Sequence, residues 1–231
     1  MNSKLSYVFR NEKKFYISIT EYYHVKQLIQ TMMKPDSHMG DKGQYYVRSL
    51  YFDSVDNVDY YSKLSGIDER KKLRLRIYDV TDNDVKFEIK NRHGDYIEKE
   101  SLTITKEDAQ SVIKGNYLCL ERYSDSVAVK AHNIMVRQVY KPKVIVDYDR
   151  EAYVYPEHNV RVTFDKFIRG AFSDRLFDGN IGMVPVIREP LFVMEVKYDS
   201  VFPEFIKQAI STTIIQHSAI SKYCMVRDTL A

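Results

Sequence analysis

The chain has 231 residues, of which 44% are hydrophobic and 29% are charged, with eight glycines and six prolines. This composition excludes a disordered, collagen-like or low-complexity protein, and the length favours one folded domain over residues 1–231. Thirty-five Lys and Arg residues against 32 Asp and Glu residues leave a net charge of +3. That balance excludes the bulk basic excess of proteins that coat duplex nucleic acid, so an anion site would need a local arrangement of charges.

The sequence indicates a reducing compartment and no membrane span. Its two cysteines, Cys119 and Cys224, are too few for a disulfide framework and belong to no metal-binding pair. No apolar run approaches the roughly 20 residues that cross a bilayer, and residues 1–4 lack the apolar stretch of a secretory signal. We therefore expect a cytoplasmic protein.

Apolar spacing, N-terminal caps and terminating Gly or Pro residues predict four helices and a shorter fifth one. The first helix begins with a capping box, in which Ser18 and Glu21 each satisfy an orphan backbone amide, and Pro35 stops it. The predicted helices cover about 18–33, 105–115, 126–139, a segment after 203–204, and 218–226.

At least five runs alternate polar and apolar side chains with a period of two, which is typical of strands with one buried face. In residues 73–78, for example, Leu, Leu and Ile alternate with Arg, Arg and Tyr. The runs are 12–17, 73–78, 86–90, 160–165 and 192–198. A long stretch at 170–190 has the composition of a loop, and a loop of that length in a compact domain is usually functional or mobile.

The polar faces of these strands allow two interpretations. In the simpler one, an antiparallel sheet packs one face on the core and exposes the charged face to water. However, these faces carry Lys and Arg at every second position with few carboxylates, and like charges on neighbouring strands repel. We therefore favour an α+β fold, and if its strands curl into a barrel, helices could pack outside and the basic faces would point into the lumen.

A basic tunnel predicts a polyanionic ligand, because unpaired buried charges lose hydration worth several kcal/mol each. Phosphate is the natural candidate, since guanidinium binds its oxygens as a bidentate fork and Lys adds compact positive charge. Glu195 lies on one of the basic faces, where oxygen ligands together with substrate phosphates could hold a hard divalent cation. The alternative for Glu195 is an ion pair with Lys197 or another tunnel cation.

Eight short segments, in fixed order along the chain, then suggest a family. They are 10–15 (RNEKKF), 49–53 (SLYFD), 72–78 (KLRLRIY), 87–90 (FEIK), 148–150 (YDR), 160–165 (VRVTFD), 194–197 (MEVK) and 221–223 (SKY). With these segments the chain resembles the VTC-domain polyphosphate polymerases of the triphosphate tunnel metalloenzyme superfamily, which also includes CYTH-type triphosphatases and class IV adenylyl cyclases. The resemblance implies a tunnel-forming antiparallel barrel surrounded by helices.

The resemblance also implies a set of site residues. Those expected to act in catalysis are Arg74, Arg76, Lys90, Arg161 and Lys197. Those expected to bind the triphosphate or the growing chain are Lys14, Lys99, Tyr148, Arg150, Ser221 and Lys222. Glu195 is similar to the family's metal-binding glutamate, and Glu12 is expected to join it in holding Mn²⁺ or Mg²⁺. Arg10 replaces the first glutamate of the CYTH signature, which favours the polymerase branch over the CYTH hydrolases.

The function implied is transfer of the γ-phosphoryl group of ATP to inorganic polyphosphate. Three alternatives stay open: a triphosphatase or polyphosphatase that uses water as acceptor, an adenylyl cyclase, and a non-catalytic module that binds polyphosphate or inositol phosphates. Nucleic acid is not an expected partner, although Tyr and Arg can stack bases. Eukaryotic VTC proteins carry membrane spans that this sequence lacks, so translocation would require a separate membrane partner.

Overall fold

The computed structural model describes residues 11–94, 96–187, 191–211 and 218–230. Within these residues the chain forms ten strands and six α-helices. The strands are β1 (Asn11–Ser18), β2 (Lys34–Pro35), β3 (Tyr45–Asp53), β4 (Arg70–Ile77), β5 (Asp84–His93), β6 (Tyr96–Thr105), β7 (Lys141–Tyr155), β8 (Val160–Ala171), β9 (Val184–Pro185) and β10 (Leu191–Tyr198). The helices are α1 (Ile19–Gln30), α2 (Val58–Leu64), α3 (Lys106–Ile113), α4 (Ser126–Arg137), α5 (Glu204–Ser211) and α6 (Lys222–Leu230).

The strands form one antiparallel sheet that curls into a half-barrel. Its order is β1-β10-β8-β7-β3-β4-β5-β6, and the two short strands β2 and β9 pair with β7 and β8. The edge strands β1 and β6 lie near each other. Across the gap between them, Lys90 on β5 donates to Glu12 on β1 at 2.8 Å. The curled sheet therefore has a concave face on which side chains from distant segments meet.

Two hydrophobic cores lie on the convex face, where every second strand residue is apolar. In the first, strands β3 to β6 pack against α3 and α4, with Leu75 and Phe87 fully buried. In the second, β1, β8 and β10 pack against α1 and α5, with Ile17 and Phe164 fully buried. Burial of the apolar faces against these four helices directs the charged faces to the concave side.

A helix forms in each predicted segment, although α6 covers Lys222–Leu230 and not 218–226. The capping box of Ser18 and Glu21 is present, and α1 ends at Gln30 rather than near residue 33. Helix α4 ends at Arg137 because Val139 adopts a left-handed backbone with φ 48°. The sequence analysis missed α2, which spans only seven residues and whose N-cap residue Asn57 makes no side-chain cap bond. Its first amides instead donate to the side chains of Ser54 and Asp53.

Helix α6 packs on the concave side of the sheet, unlike α1, α3, α4 and α5. Its buried residues Tyr223 and Val226 contact apolar residues of β3, β7 and β8 that face the same way as the charged rows. The residue before its first turn, Ser221, is also buried. The helix thereby fills part of the concavity and brings its N-terminal end toward the charged residues.

Among the described residues, every helix is too short or too polar to cross a membrane.

Candidate functional site

The concave face forms an open cavity of about 810 Å³, a volume that includes space continuous with solvent. Of the described residues that line it, twelve are Lys or Arg and two are carboxylates. The cations are Lys14, Lys63, Arg70, Lys71, Lys72, Arg74, Arg76, Lys90, Arg92, Arg150, Lys197 and Lys222, and the carboxylates are Glu12 and Glu195. Since the whole chain carries only +3, positive charge is concentrated at this one place.

Arg74 lies at the centre of the cavity wall, on the face of β4 opposite the buried leucines. Its Nε donates to Glu88 on β5 at 2.6 Å, and its Nη1 donates to the Tyr51 hydroxyl on β3 at 2.8 Å. Burial alone would lower the pKa of Arg74, but Glu88 outweighs this and raises it well above the ordinary value. The guanidinium is therefore held in place and permanently charged.

Arg76, two residues along the same strand, is buried and has a different set of partners. Its Nε donates to the Ser49 hydroxyl and its Nη2 to the Tyr148 hydroxyl, each at 3.2 Å. Its Nη1 lies 3.7 Å from Glu88, whose carboxylate also pairs with Lys99. The buried Glu88 carboxylate therefore pairs with three cations, Arg74, Arg76 and Lys99.

Strands β1 and β10 contribute two interlocked ion pairs. In their register Glu12 is opposite Lys197, and Lys14 is opposite Glu195. Lys14 lies 3.0 Å from Glu12 and 3.7 Å from Glu195, while Lys197 lies 3.3 Å from Glu195 and 3.9 Å from Glu12. Burial alone would raise the pKa of both glutamates, but the surrounding lysines hold it well below the ordinary value. Both are carboxylates at neutral pH.

The first residue of α6, Lys222, is buried between the carboxylates of Asp165 and Glu195. Lys222 lies 2.5 Å from Asp165 on β8 and donates to Glu195 at 2.8 Å. Arg150 on β7 forms a two-bond fork with Asp165, at 2.6 and 2.8 Å. Lys222 and Arg150 also lie 4.9 and 5.1 Å from the centroid of the Tyr148 ring. Two cations are therefore fixed next to Glu195.

Two lysines of the cavity have strongly lowered pKa values. Burial lowers the pKa of Lys90 to about 7, with Glu12 opposing the shift and Lys14 reinforcing it. Burial lowers the pKa of Lys72 to about 8, and its Nζ donates to the Ser221 hydroxyl at 2.7 Å. These ammonium groups would regain full charge beside an anion, so the cavity favours a negatively charged ligand.

The structure brings most of the predicted site residues together in this cavity. Arg161 is different, because it lies on the same face of β8 as Asp165 but outside the cavity lining. It pairs with Asp36 at 2.6 Å and donates to the Tyr45 hydroxyl at 2.9 Å. Lys99 also lies outside the lining and reaches it only through Glu88. Arg10 lies outside the described residues.

The sequence analysis missed Glu88, Asp165 and Lys72 as site residues. Glu88 shares a strand face with Lys86 and Lys90, and Asp165 shares one with Arg161, so each alternation pattern contained a usable signal. Glu88 and Asp165 bind cations that come from other segments of the chain, and the alternation pattern within one strand cannot show such contacts. Lys72 lies on the same face of β4 as Arg74, two residues nearer the start of the strand.

The arrangement of carboxylates fits a divalent ion only in part. Nowhere in the described segments do three or more His, Cys, Asp or Glu side chains converge on one point. Glu12 and Glu195 are nevertheless ionised and share two lysines. Mg²⁺-like ions are commonly held by one or two carboxylates with substrate phosphates supplying further oxygens. These two glutamates fit that kind of site and not an all-protein cage.

Several solved structures match this chain at low sequence identity. A candidate adenylyl cyclase from Hippeastrum with a dominant triphosphatase activity matches with a TM-score of 0.57 and 13% identity, covering 96% of this chain and 95% of that one. A candidate adenylate cyclase from Bacillus halodurans matches with a TM-score of 0.49 and 17% identity, over 88% and 87% of the two chains. A protein from Pyrococcus horikoshii matches with a TM-score of 0.48 and 12% identity, over 96% and 99%.

The curled antiparallel sheet, with its basic concave face, has the fold of the triphosphate tunnel proteins. Residues 9–231 match the model of the VTC domain, which is nearly the whole chain. The chain belongs to the VTC domain family, so the resemblance found in the sequence is confirmed. No curated protein gives a significant match.

Proposed function

We propose that the protein is a triphosphate-handling enzyme that transfers the γ-phosphoryl group of ATP to inorganic polyphosphate. The observation that carries this proposal is the cavity itself, where twelve Lys and Arg residues and two carboxylates converge among the described residues. Membership of the VTC domain family agrees with a phosphorylated substrate. A cavity of this charge is suited to hold the many oxygens of two phosphate chains end to end.

The cations are held in place before any substrate arrives. Arg74 and Arg76 are fixed by Glu88 and by hydroxyl groups, and Arg150 is fixed by Asp165. Phosphoryl transfer needs in-line positioning and neutralisation of charge on the phosphoryl oxygens more than covalent help from the protein. Groups already oriented require little reorganisation at the moment of reaction, which is where electrostatic catalysis gains most.

The proposed reaction is a direct transfer from ATP to the acceptor and requires no protein nucleophile. A terminal phosphate oxygen of the polyphosphate chain forms a new bond to the γ-phosphorus of ATP. The bond from that phosphorus to the bridging oxygen of the β-phosphate breaks, and ADP leaves with the electron pair. Lys14, Lys197 and Lys222 line the wall beside the glutamates, where they would neutralise the charge on the acceptor and the leaving group.

Glu12 and Glu195 are the residues that would hold Mn²⁺ or Mg²⁺. Such an ion supplies Lewis-acid neutralisation of phosphate oxygens when it is bound. The neighbouring lysines would then exchange part of their contact with the glutamates for contact with phosphate oxygens.

A triphosphatase is the second candidate. The Hippeastrum protein with the same fold has a dominant triphosphatase activity, and the cavity is partly open to solvent. In that case water would replace the polyphosphate end as acceptor, with the same cations on the triphosphate.

The test incubates the purified protein with ATP and Mn²⁺ and measures polyphosphate on a gel together with released phosphate. We expect chain growth from wild type and a loss of at least about tenfold in Glu195→Gln. The matched control is Glu204→Gln, at a side chain of α5 that is 65% exposed.

Phosphate release without chain growth would instead identify a hydrolase. Equal product from wild type and Glu195→Gln would contradict the metal role of Glu195, and metal-independent binding without turnover would indicate a binding module.

A further inference from the structure

Strand β4 carries a row of cations longer than a triphosphate requires. Arg70, Lys72, Arg74 and Arg76 are alternate residues, and all four line the cavity. At about 3.3 Å per residue, the row from Arg70 to Arg76 is roughly 20 Å long. A triphosphate has three phosphorus atoms joined by two bridging oxygens, so it covers only part of this length.

The row runs from the protein interior toward solvent. Arg76 is buried, whereas Arg74, Lys72 and Arg70 are partly exposed. The well-fixed groups Arg74 and Arg76 thus lie at the inner end, next to Tyr148. Arg70 therefore marks the outer end of the cavity.

Further positive charge gathers at the outer end. Arg92 on β5 lies directly opposite Arg70 in the strand register, and Lys63 extends from α2 into the same wall. Burial lowers the pKa of Lys63, and the nearby charge of Arg70 lowers it further. The Arg92 Nε donates to the Gly94 carbonyl at 2.6 Å and the Arg70 Nη1 donates to the Ile67 carbonyl at 2.5 Å, so both guanidinium groups are held at this end of the cavity.

We propose that Lys63 and Arg70, together with Arg92, form a subsite for the phosphates of an inorganic polyphosphate chain that lie beyond the reacting triphosphate. This inference rests on the proposed function, and it assigns the direction in which the chain leaves. The reacting phosphates lie at Arg74 and Arg76, and the rest of the chain extends past Arg70 into solvent. On the concave side next to β7 and β8, helix α6 fills the space with apolar side chains.

The experiment compares two ligands of different length on two double variants. Tripolyphosphate and long-chain inorganic polyphosphate are titrated, without metal, into wild type, Lys63→Ala/Arg70→Ala and the control Lys13→Ala/Lys207→Ala. Lys13 is exposed on the convex side of β1, and the side chain of Lys207 is 58% exposed on α5. Circular dichroism verifies that each variant is folded.

We expect the affinity of Lys63→Ala/Arg70→Ala for the long chain to fall by about tenfold more than its affinity for tripolyphosphate, because two charge-assisted phosphate contacts are lost. The salt dependence of long-chain binding should also become shallower in this variant. The control should bind both ligands as wild type does. An equal loss of affinity for both ligands, or no loss of affinity for either, would contradict the proposed subsite. If wild type binds neither ligand, the proposed function fails and the subsite fails with it.

Discussion

Lys90 and Lys72 are the cavity residues whose charge depends most on pH near neutrality. The pKa of Lys90 is lowered to about 7 and that of Lys72 to about 8, in both cases chiefly by burial. Bound phosphates would favour the ammonium form and raise both pKa values. Protons are therefore taken up on binding at a pH above the free pKa, and affinity falls as the pH rises through 7 and 8.

This predicts a proton uptake that depends on Lys90. At pH 8 wild type should take up about one more proton per bound tripolyphosphate than Lys90→Met does, because free Lys90 is then mostly neutral. Calorimetry in two buffers of different ionisation enthalpy measures the difference, and the ligand's own protons cancel between the proteins. Lys13→Met, on the exposed convex side of β1, should match wild type. Equal uptake by wild type and Lys90→Met would show that phosphates do not approach Lys90.

Glu88 leads to a prediction about stability. Glu88→Gln removes the carboxylate shared by Arg74, Arg76 and Lys99. Loss of one partner from a buried ion-pair network costs about 3 kcal/mol in unfolding free energy. Because phosphate oxygens can replace the carboxylate, saturating tripolyphosphate should narrow the gap between variant and wild type.

Urea unfolding with and without tripolyphosphate measures this gap. Glu100→Gln is the matched control, since Glu100 also accepts from a lysine, Lys130, but on the α4 side of β6. In the control, the ligand should leave the gap unchanged. A gap in Glu88→Gln that the ligand does not narrow would argue that the bound phosphates lie away from this carboxylate.

At the scale of elements, the position of α6 depends on one close contact. A Cβ atom added at Gly170 on β8 would overlap the Val226 methyl groups and would lie 2.9 Å from Val226 Cβ. Helix α6 would have to shift, and with it Lys222, which contacts both Asp165 and Glu195. This glycine therefore couples the backbone of the sheet to the cavity.

Gly170→Ala should lower the unfolding free energy by about 1–3 kcal/mol through overpacking and should weaken tripolyphosphate binding as well. Gly170→Ala/Val226→Ala should recover both properties in part, because the overlapping methyl groups are removed while the contact with the Cβ of residue 226 at 2.9 Å stays. Gly179→Ala is the control, since its added Cβ would be 3.9 Å from Val80. Denaturation curves and calorimetric titration measure the two effects. Normal binding by Gly170→Ala would show that Lys222 needs no fixed position.

The sequence predicted the elements that have strong local signals. The alternation in 73–78 and the capping box at Ser18 are confirmed, because a pleated strand and a helix start are determined by neighbouring residues. The tunnel-type fold is confirmed as well. Helix α2 was missed because its first amides are bound by Ser54 and Asp53, which precede the N-cap position, and not by the N-cap residue Asn57. The concave position of α6 was missed because it depends on packing between distant segments.

At the scale of the whole molecule, the first described strand pairs with the last one. Asn11 on β1 is opposite Tyr198 on β10, whereas β3 to β6 follow each other closely along the chain, apart from the α2 segment. Contacts between distant segments require closure of long loops and form slowly. Pulse-labelled hydrogen exchange during refolding should therefore show protection in β4–β6 before β1 and β10. Simultaneous protection would indicate that the half-barrel closes in a single step.

The concentration of cations inside the cavity reverses the sign of the charge elsewhere. The lining has ten more positive than negative groups, while the entire chain has a net charge of +3, so the residues outside the lining carry a net charge of 3 − 10 = −7. Because most of the excess positive charge lies on the wall of the cavity, we expect a thick, rigid polyanion such as a double helix to contact only its rim. A single phosphate strand is thin enough to lie inside, so we expect the cavity to select polyanions by their width.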